Sequence, residues 1–104
     1  MFIYNVTCNI SNEMEEEWIQ WMIETHIPEV LNTGCFTDCR ILKLLTEVED
    51  NSGINYAIQY SYEHPKDFER YSNEFGPGLQ AKTKAKYGDR VLAFRTHLAL
   101  LTQF

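Results

Sequence analysis

Residues 2–31 read FIYNVTCNISNEMEEEWIQWMIETHIPEVL, and the hydrophobic period of the chain changes once inside them. From Phe2 to Ile10 the side chains alternate. Phe2, Tyr4, Val6, Cys8 and Ile10 share an apolar face and Ile3, Asn5, Thr7 and Asn9 a semi-polar one, as in a half-buried strand. From Asn12 to Leu31 the period is helical. Met14, Trp18, Trp21, Met22 and Thr25 share one side, and Ile19 and Ile23 widen the apolar arc past half the circumference. An arc that wide asks for a second packing partner or for a pocket along the helix. Ser11 or Asn12 can cap this helix, and Glu13, Glu15, Glu16 and Glu17 suit its positive end. Pro28 predicts a kink or break near His26, and Gly34 supplies a stop.

Working outward, two further alternating runs, Phe36 to Val48 and Ile54 to Tyr62, flank the turn cluster Glu49-Asp50-Asn51-Ser52-Gly53, a hairpin signal. In the second of these runs Tyr56, Ile58, Tyr60 and Tyr62 oppose Ala57, Gln59 and Ser61, which predicts a half-wet aromatic surface. A second helical stretch, Pro65 to Tyr87, carries Phe68, Tyr71, Phe75 and Leu79 on one side. Gly76-Pro77-Gly78 interrupts it, predicting two segments that meet at a bend. Lys82, Lys84 and Lys86 enrich its last turns before Gly88 ends it. The last run, Val91 to Leu101, is apolar on both faces.

The order is therefore β-α-β-β-α-β, an α+β fold in which a four-stranded antiparallel sheet and two helices use the whole chain, 1–104, as one domain. Right-handed crossovers place both helices on one face of the sheet. The other face would be bare, yet Ile41, Leu42, Leu44 and Leu45 occupy both sides of the second strand and the last strand is apolar throughout. A symmetric homodimer stacked sheet on sheet covers that face most simply.

Fifteen acidic residues against nine basic ones give a net charge of -6, which argues against nucleic acid or an anionic membrane as partner. No stretch approaches the roughly 18 apolar residues of a membrane span, and the N-terminus lacks the parts of a secretion signal, so a cytoplasmic protein is expected. Cys8, Cys35 and Cys39 lack the company of further Cys or His that a metal site needs and read as free thiols, so no metal is expected. Nucleophile, phosphate-loop and zinc motifs are missing, which leaves cofactor-free chemistry open.

The stretches Tyr4-Asn5-Val6-Thr7, Trp18-x-x-Trp21-Met22-x-x-x-His26-Ile27-Pro28-Glu29-Val30, Tyr56-Ala57-Ile58-Gln59-Tyr60 and Gly88-Asp89-Arg90-Val91-x-Ala93-Phe94-Arg95-Thr96 resemble an uncharacterised bacterial domain-of-unknown-function family, found mainly in Bacteroidetes. The resemblance covers nearly the whole chain and implies a ferredoxin-like fold of the dimeric α/β-barrel kind, with no established activity. More distantly the chain resembles the antibiotic-biosynthesis-monooxygenase group, which includes cofactor-free oxygenases and haem-degrading enzymes. Asn5 sits where some of these place a pocket Asn, and Tyr62, six residues before Phe68, where they carry a Trp. The haem-degrading members present a His on the second helix, and Phe68 to Tyr87 contains none, so no cofactor is expected.

Candidate ligand-binding residues follow. His26 shares a ridge with Met22 and Trp18 beside the proline; it reads as a general base or ligand contact, or as a helix-terminal His bonded to a carbonyl. Arg95 among apolar strand positions needs an anionic partner, either a ligand or a side chain such as Asp38. Asn5 and Tyr62 complete the polar set; His97 reads as an edge or interface residue and His64-Pro65 as the entrance to the second helix. Three functions compete: a homodimer holding a small organic ligand between sheet and helices, a cofactor-independent monooxygenase or isomerase, and a non-catalytic dimerisation module.

Overall fold

The computed structural model describes residues 1–46 and 53–104. Its four strands are β1 (Phe2–Ile10), β2 (Asp38–Lys43), β3 (Ile54–Tyr62) and β4 (Val91–Ala99). They form one sheet in the order β2-β3-β1-β4, every neighbouring pair antiparallel. β1 is central, with Val6 opposite Ile58 on one side and Arg95 on the other. The fold is α+β and ferredoxin-like. β2 is shorter than its alternating run: Phe36 is buried ahead of it, and Leu44 makes one last ladder bond, 2.9 Å to the Asn55 carbonyl. The rest of the expected hairpin, 47–52, lies outside the described residues. Gly53 follows at φ 97°, where an added Cβ would stand 2.6 Å from the Ile10 carbonyl oxygen, so glycine is required there by both conformation and space.

Two helical rods connect the strands. The first, residues 12–31, starts as a 3-10 turn (Asn12–Met14), continues as α-helix (Glu15–Trp21), widens into a π turn (Met22–His26) and closes as α-helix (Ile27–Leu31). Ser11 holds the N-cap position through its backbone carbonyl, which accepts from the Met14 N–H at 2.9 Å, and not through its side chain. Where a kink or break is expected, the rod stays helical and the π turn absorbs the misfit: the Ile27 N–H reaches back to the Met22 carbonyl immediately before Pro28. The second rod, residues 65–87, repeats the device. Its π turn spans Tyr71–Phe75, and the Gly76 N–H bonds the Tyr71 carbonyl immediately before Pro77. His64 opens this rod, its N–H donating to the Asp67 carboxylate at 3.1 Å.

The core lies between the rods and one sheet face. Trp18, Ile10, Ile58 and Val30 are its most completely enclosed side chains. Tyr56, Tyr60 and Tyr62 belong to it too, each under one tenth exposed, so the tyrosine row is core and not a half-wet surface. Their hydroxyls explain how burial is tolerated: Tyr56 donates to Glu15, and Tyr62 meets His97 Nδ1 at 3.1 Å. The opposite sheet face carries Leu42, Leu92, Phe94 and Leu98, all exposed, beside the buried Asn5 and Ser61. No helix among the described residues is long and apolar enough to cross a membrane.

Candidate ligand cavity

The second rod does not seal onto β4. In its last α segment, Gly76–Tyr87, only Gly76, Leu79 and Tyr87 are buried. Leu79, Thr83 and Tyr87 lie on one ridge, and the middle position holds a short polar side chain whose hydroxyl donates back to the Leu79 carbonyl at 3.2 Å. Ala93 is equally small on the strand below. The space left between them is a cavity of about 330 Å3. Tyr4, Val6, Cys8, Ile58, Tyr60 and Arg95 form its floor with Ala93. Trp18, Met22 and His26 wall it from the first rod, and Tyr71, Gln80, Thr83 and Lys84 from the second.

Four of the six candidates from the sequence, Trp18, Met22, His26 and Arg95, thus converge on one space. Asn5 does not: it points through the other face of β1, where its Nδ2 donates to Thr7 Oγ1 at 3.1 Å and Thr96 Oγ1 at 3.2 Å. Strand parity is the reason, because Tyr4, Val6 and Cys8 are the residues turned toward the rods. Tyr62 faces the rods but lies at the far end of the sheet, stacked on Phe2 with ring centroids 5.4 Å apart and bonded to His97. Asp38 is no partner for Arg95 within the chain either, since β2 and β4 are opposite edges of the sheet. Arg95 instead donates through Nε to the Tyr4 hydroxyl at 2.9 Å.

The cavity residues that the sequence did not single out are Tyr4, Tyr71 and Lys84. Tyr4 shares the parity of Val6 and Cys8, and Tyr71 falls four residues ahead of the Phe75 that introduces the proline; both read as ordinary core. Lys84 reads as a helix-terminal charge. Only the pairing of β1 with β4 and the unsealed rod bring the three together.

Charge in the cavity is set by burial. Burial pushes the Cys8 thiol up to about 11 and the Tyr71 hydroxyl up to about 12, and raises Tyr60 as well, so all three stay protonated at neutral pH. Tyr4 is raised by burial against the opposing effect of Arg95. His26 stacks on Trp21 with ring centroids 5.0 Å apart. Burial holds its pKa below the usual imidazole value; Glu29 opposes this, and Arg95 and Lys82 add to it. Glu29 is itself taken up by Lys82 at 2.9 Å. His26 is therefore a neutral imidazole at pH 7, able to accept a proton or a hydrogen bond.

That shift has a sign. As pH falls through about 6.5 the unfolded chain protonates at His26 before the folded chain does, so stability present above that pH is lost below it. The melting temperature of the wild type is expected to fall more steeply between pH 7 and pH 5 than that of His26→Gln. Parallel curves for the two proteins would mean that His26 is not held neutral by the fold.

A family model described as Domain of unknown function (DUF4286) matches residues 1–101. The chain belongs to this family. Among curated proteins no match was found. Solved structures give the fold. An ethyl tert-butyl ether D (EthD) family protein from Bacillus halodurans superposes with a TM-score of 0.70 at 11% identity, covering 97% of this chain and 100% of that one. A dimeric ferredoxin-like protein from an uncultured marine organism gives 0.60 at 11% identity, covering 99% and 97%. A candidate antibiotic biosynthesis monooxygenase from Deinococcus radiodurans gives 0.59 at 17% identity, covering 100% and 96%. At these identities the DUF4286 chain shares an architecture with the three proteins, and its chemistry is its own question.

Proposed function

We propose that this chain works as a homodimer whose subunits each bind one small organic molecule in the space between sheet and rods. The observation that carries the reading is the cavity itself: about 330 Å3, walled by Trp18, Met22 and Tyr71, with Arg95 and the neutral His26 as its polar groups. That volume and that mixture of apolar lining with few polar groups are typical of small-molecule sites. The dimer is supported by the open sheet face, where Leu92 and Phe94 are 59% and 62% exposed, and by a structural neighbour described as a dimeric ferredoxin-like protein.

A catalytic version of this reading is favoured by one arrangement. His26 is uncharged and Arg95 lies on the same wall, a base and a cation of the kind that enolisation or oxygenation of a bound carbonyl compound uses. A chain that only dimerised would have no use for it.

Titration with phenol, benzamide and benzoate, followed by amide and indole shifts in NMR, tests the binding reading. Shifts are expected at the Trp18 indole and at Ala93, and not at Ala57 on the open face. If none of the three compounds moves the cavity signals, or if shifts gather on the open face, the reading is wrong.

A further inference from the structure

We infer that the ligand of this cavity is an anion, a single-ring aromatic carboxylate gripped by Arg95 with Lys84 beside it; this rests on the binding reading above. Three ion pairs form among the described residues: Lys43 with Glu15 at 3.0 Å, Lys82 with Glu29 at 2.9 Å and Lys86 with Glu17 at 3.7 Å. Lys82 and Lys86 flank Lys84 on the same rod, and both bridge to the first rod. Lys84 and Arg95 take no acid, and both line the cavity. Asp89 is the acidic residue on the same lining, so the wall carries two cations against one anion. This runs against the composition of a chain with fifteen acids and nine bases.

Arg95 is also oriented for the task. Its Nε is engaged by the Tyr4 hydroxyl at 2.9 Å, which fixes the plane of the guanidinium. Its two terminal nitrogens have no partner among the described residues and present the parallel donors that a carboxylate accepts in bidentate fashion. Tyr4 in turn is immobilised by stacking on Phe36 at 6.1 Å and Tyr60 at 6.0 Å between ring centroids. Next to this cation the floor and walls are apolar or aromatic, Val6, Ile58, Tyr60, Trp18 and Met22, which suits a flat hydrocarbon body. The volume fits one ring with short substituents.

The test is a titration of the full chain with benzoate, benzamide, phenyl phosphate and inorganic phosphate, for the wild type, Arg95→Gln, Arg95→Lys and Lys84→Gln, with a thermal melt of each variant. For the wild type, benzoate is expected to bind at least tenfold more tightly than its neutral isostere benzamide, and inorganic phosphate not to compete. Arg95→Gln is expected to bring that preference to threefold or less. Arg95→Lys, which keeps the charge and loses the fork, falls between; Lys84→Gln costs about threefold. Benzamide binding as well as benzoate would overturn the anion and leave the cavity reading standing. Tighter phenyl phosphate would overturn the carboxylate, and an Arg95→Gln variant that keeps the full preference would overturn the role of Arg95. Failure of every compound to bind would overturn both this inference and the binding reading.

Discussion

Trp18→Ala is expected to remove about 3–5 kcal/mol of folding stability, the range for truncating a buried aromatic to alanine. Trp18 is 1% exposed, packs its ring against Tyr56 at 5.3 Å, and stands where the first rod, β3 and the cavity meet. Its loss enlarges a space that the molecule already keeps open, and the stiff neighbours Tyr56 and Ile58 cannot move in to fill it. A domain of this size has roughly 5–15 kcal/mol in total, so the variant stands near the threshold of folding. Urea denaturation at equal protein concentration measures the loss. If the variant does not fold, Trp18→Phe supplies the number, at a smaller cost. A loss below about 1 kcal/mol for Trp18→Ala would contradict the packing described here. Ile23→Ala on the same rod, at a position 57% exposed, is the control and should change stability by less than about 0.5 kcal/mol.

Phe94→Glu is expected to convert the wild-type dimer into a monomer while leaving the fold intact. Phe94 stands on β4 opposite Thr7, on the sheet face that no element of the chain covers. Four strands at about 4.8 Å and nine residues at about 3.4 Å give that face an area of roughly 600 Å2, near the share that each partner contributes to a standard interface. In a symmetric pair one substitution places two carboxylates in the same apolar contact, with no cation to receive them. Light scattering after size exclusion, at about 10 µM and again tenfold higher, reads the outcome. A wild type that elutes as a monomer at both concentrations, or a Phe94→Glu protein that remains dimeric, would remove the sheet-on-sheet dimer from the proposed function. The cavity opens on the rod side of the sheet, so monomeric Phe94→Glu should still bind a cavity ligand.

The architecture was legible because the chain keeps its two periods cleanly apart. Alternation marks β1, β3 and β4 almost to the residue, and helical spacing marks both rods. β2 was overextended, since a leucine-rich run looks like a strand even where Leu44 and Leu45 leave the ladder. The site was legible only in part. His26, Met22 and Trp18 share a helix ridge, and any reading that places the ridge on the core places them together. Arg95 joins them through strand pairing, which no local pattern reports, and the parity of β1 decided that Tyr4 and not Asn5 would meet it. The tyrosines of β3 misled for a similar reason: a hydroxyl can reach water or a partner equally well, and here Glu15 and His97 stand where solvent would have been.

The two π turns carry a consequence for how this chain tolerates change in length. Each holds one residue more than an α-helical turn would, immediately ahead of a proline that cannot donate to a regular ladder. Deleting a single residue within 22–26 would restore α-helical spacing and leave the rod helical, but everything beyond the cut would swing by about 100° about its axis. Val30, fully enclosed in the core, would turn toward solvent, and His26 would leave the wall it shares with Met22 and Trp18. The extra residue acts as the phase setting of the rod, aligning a core half and a cavity half that a uniform helix would hold out of step.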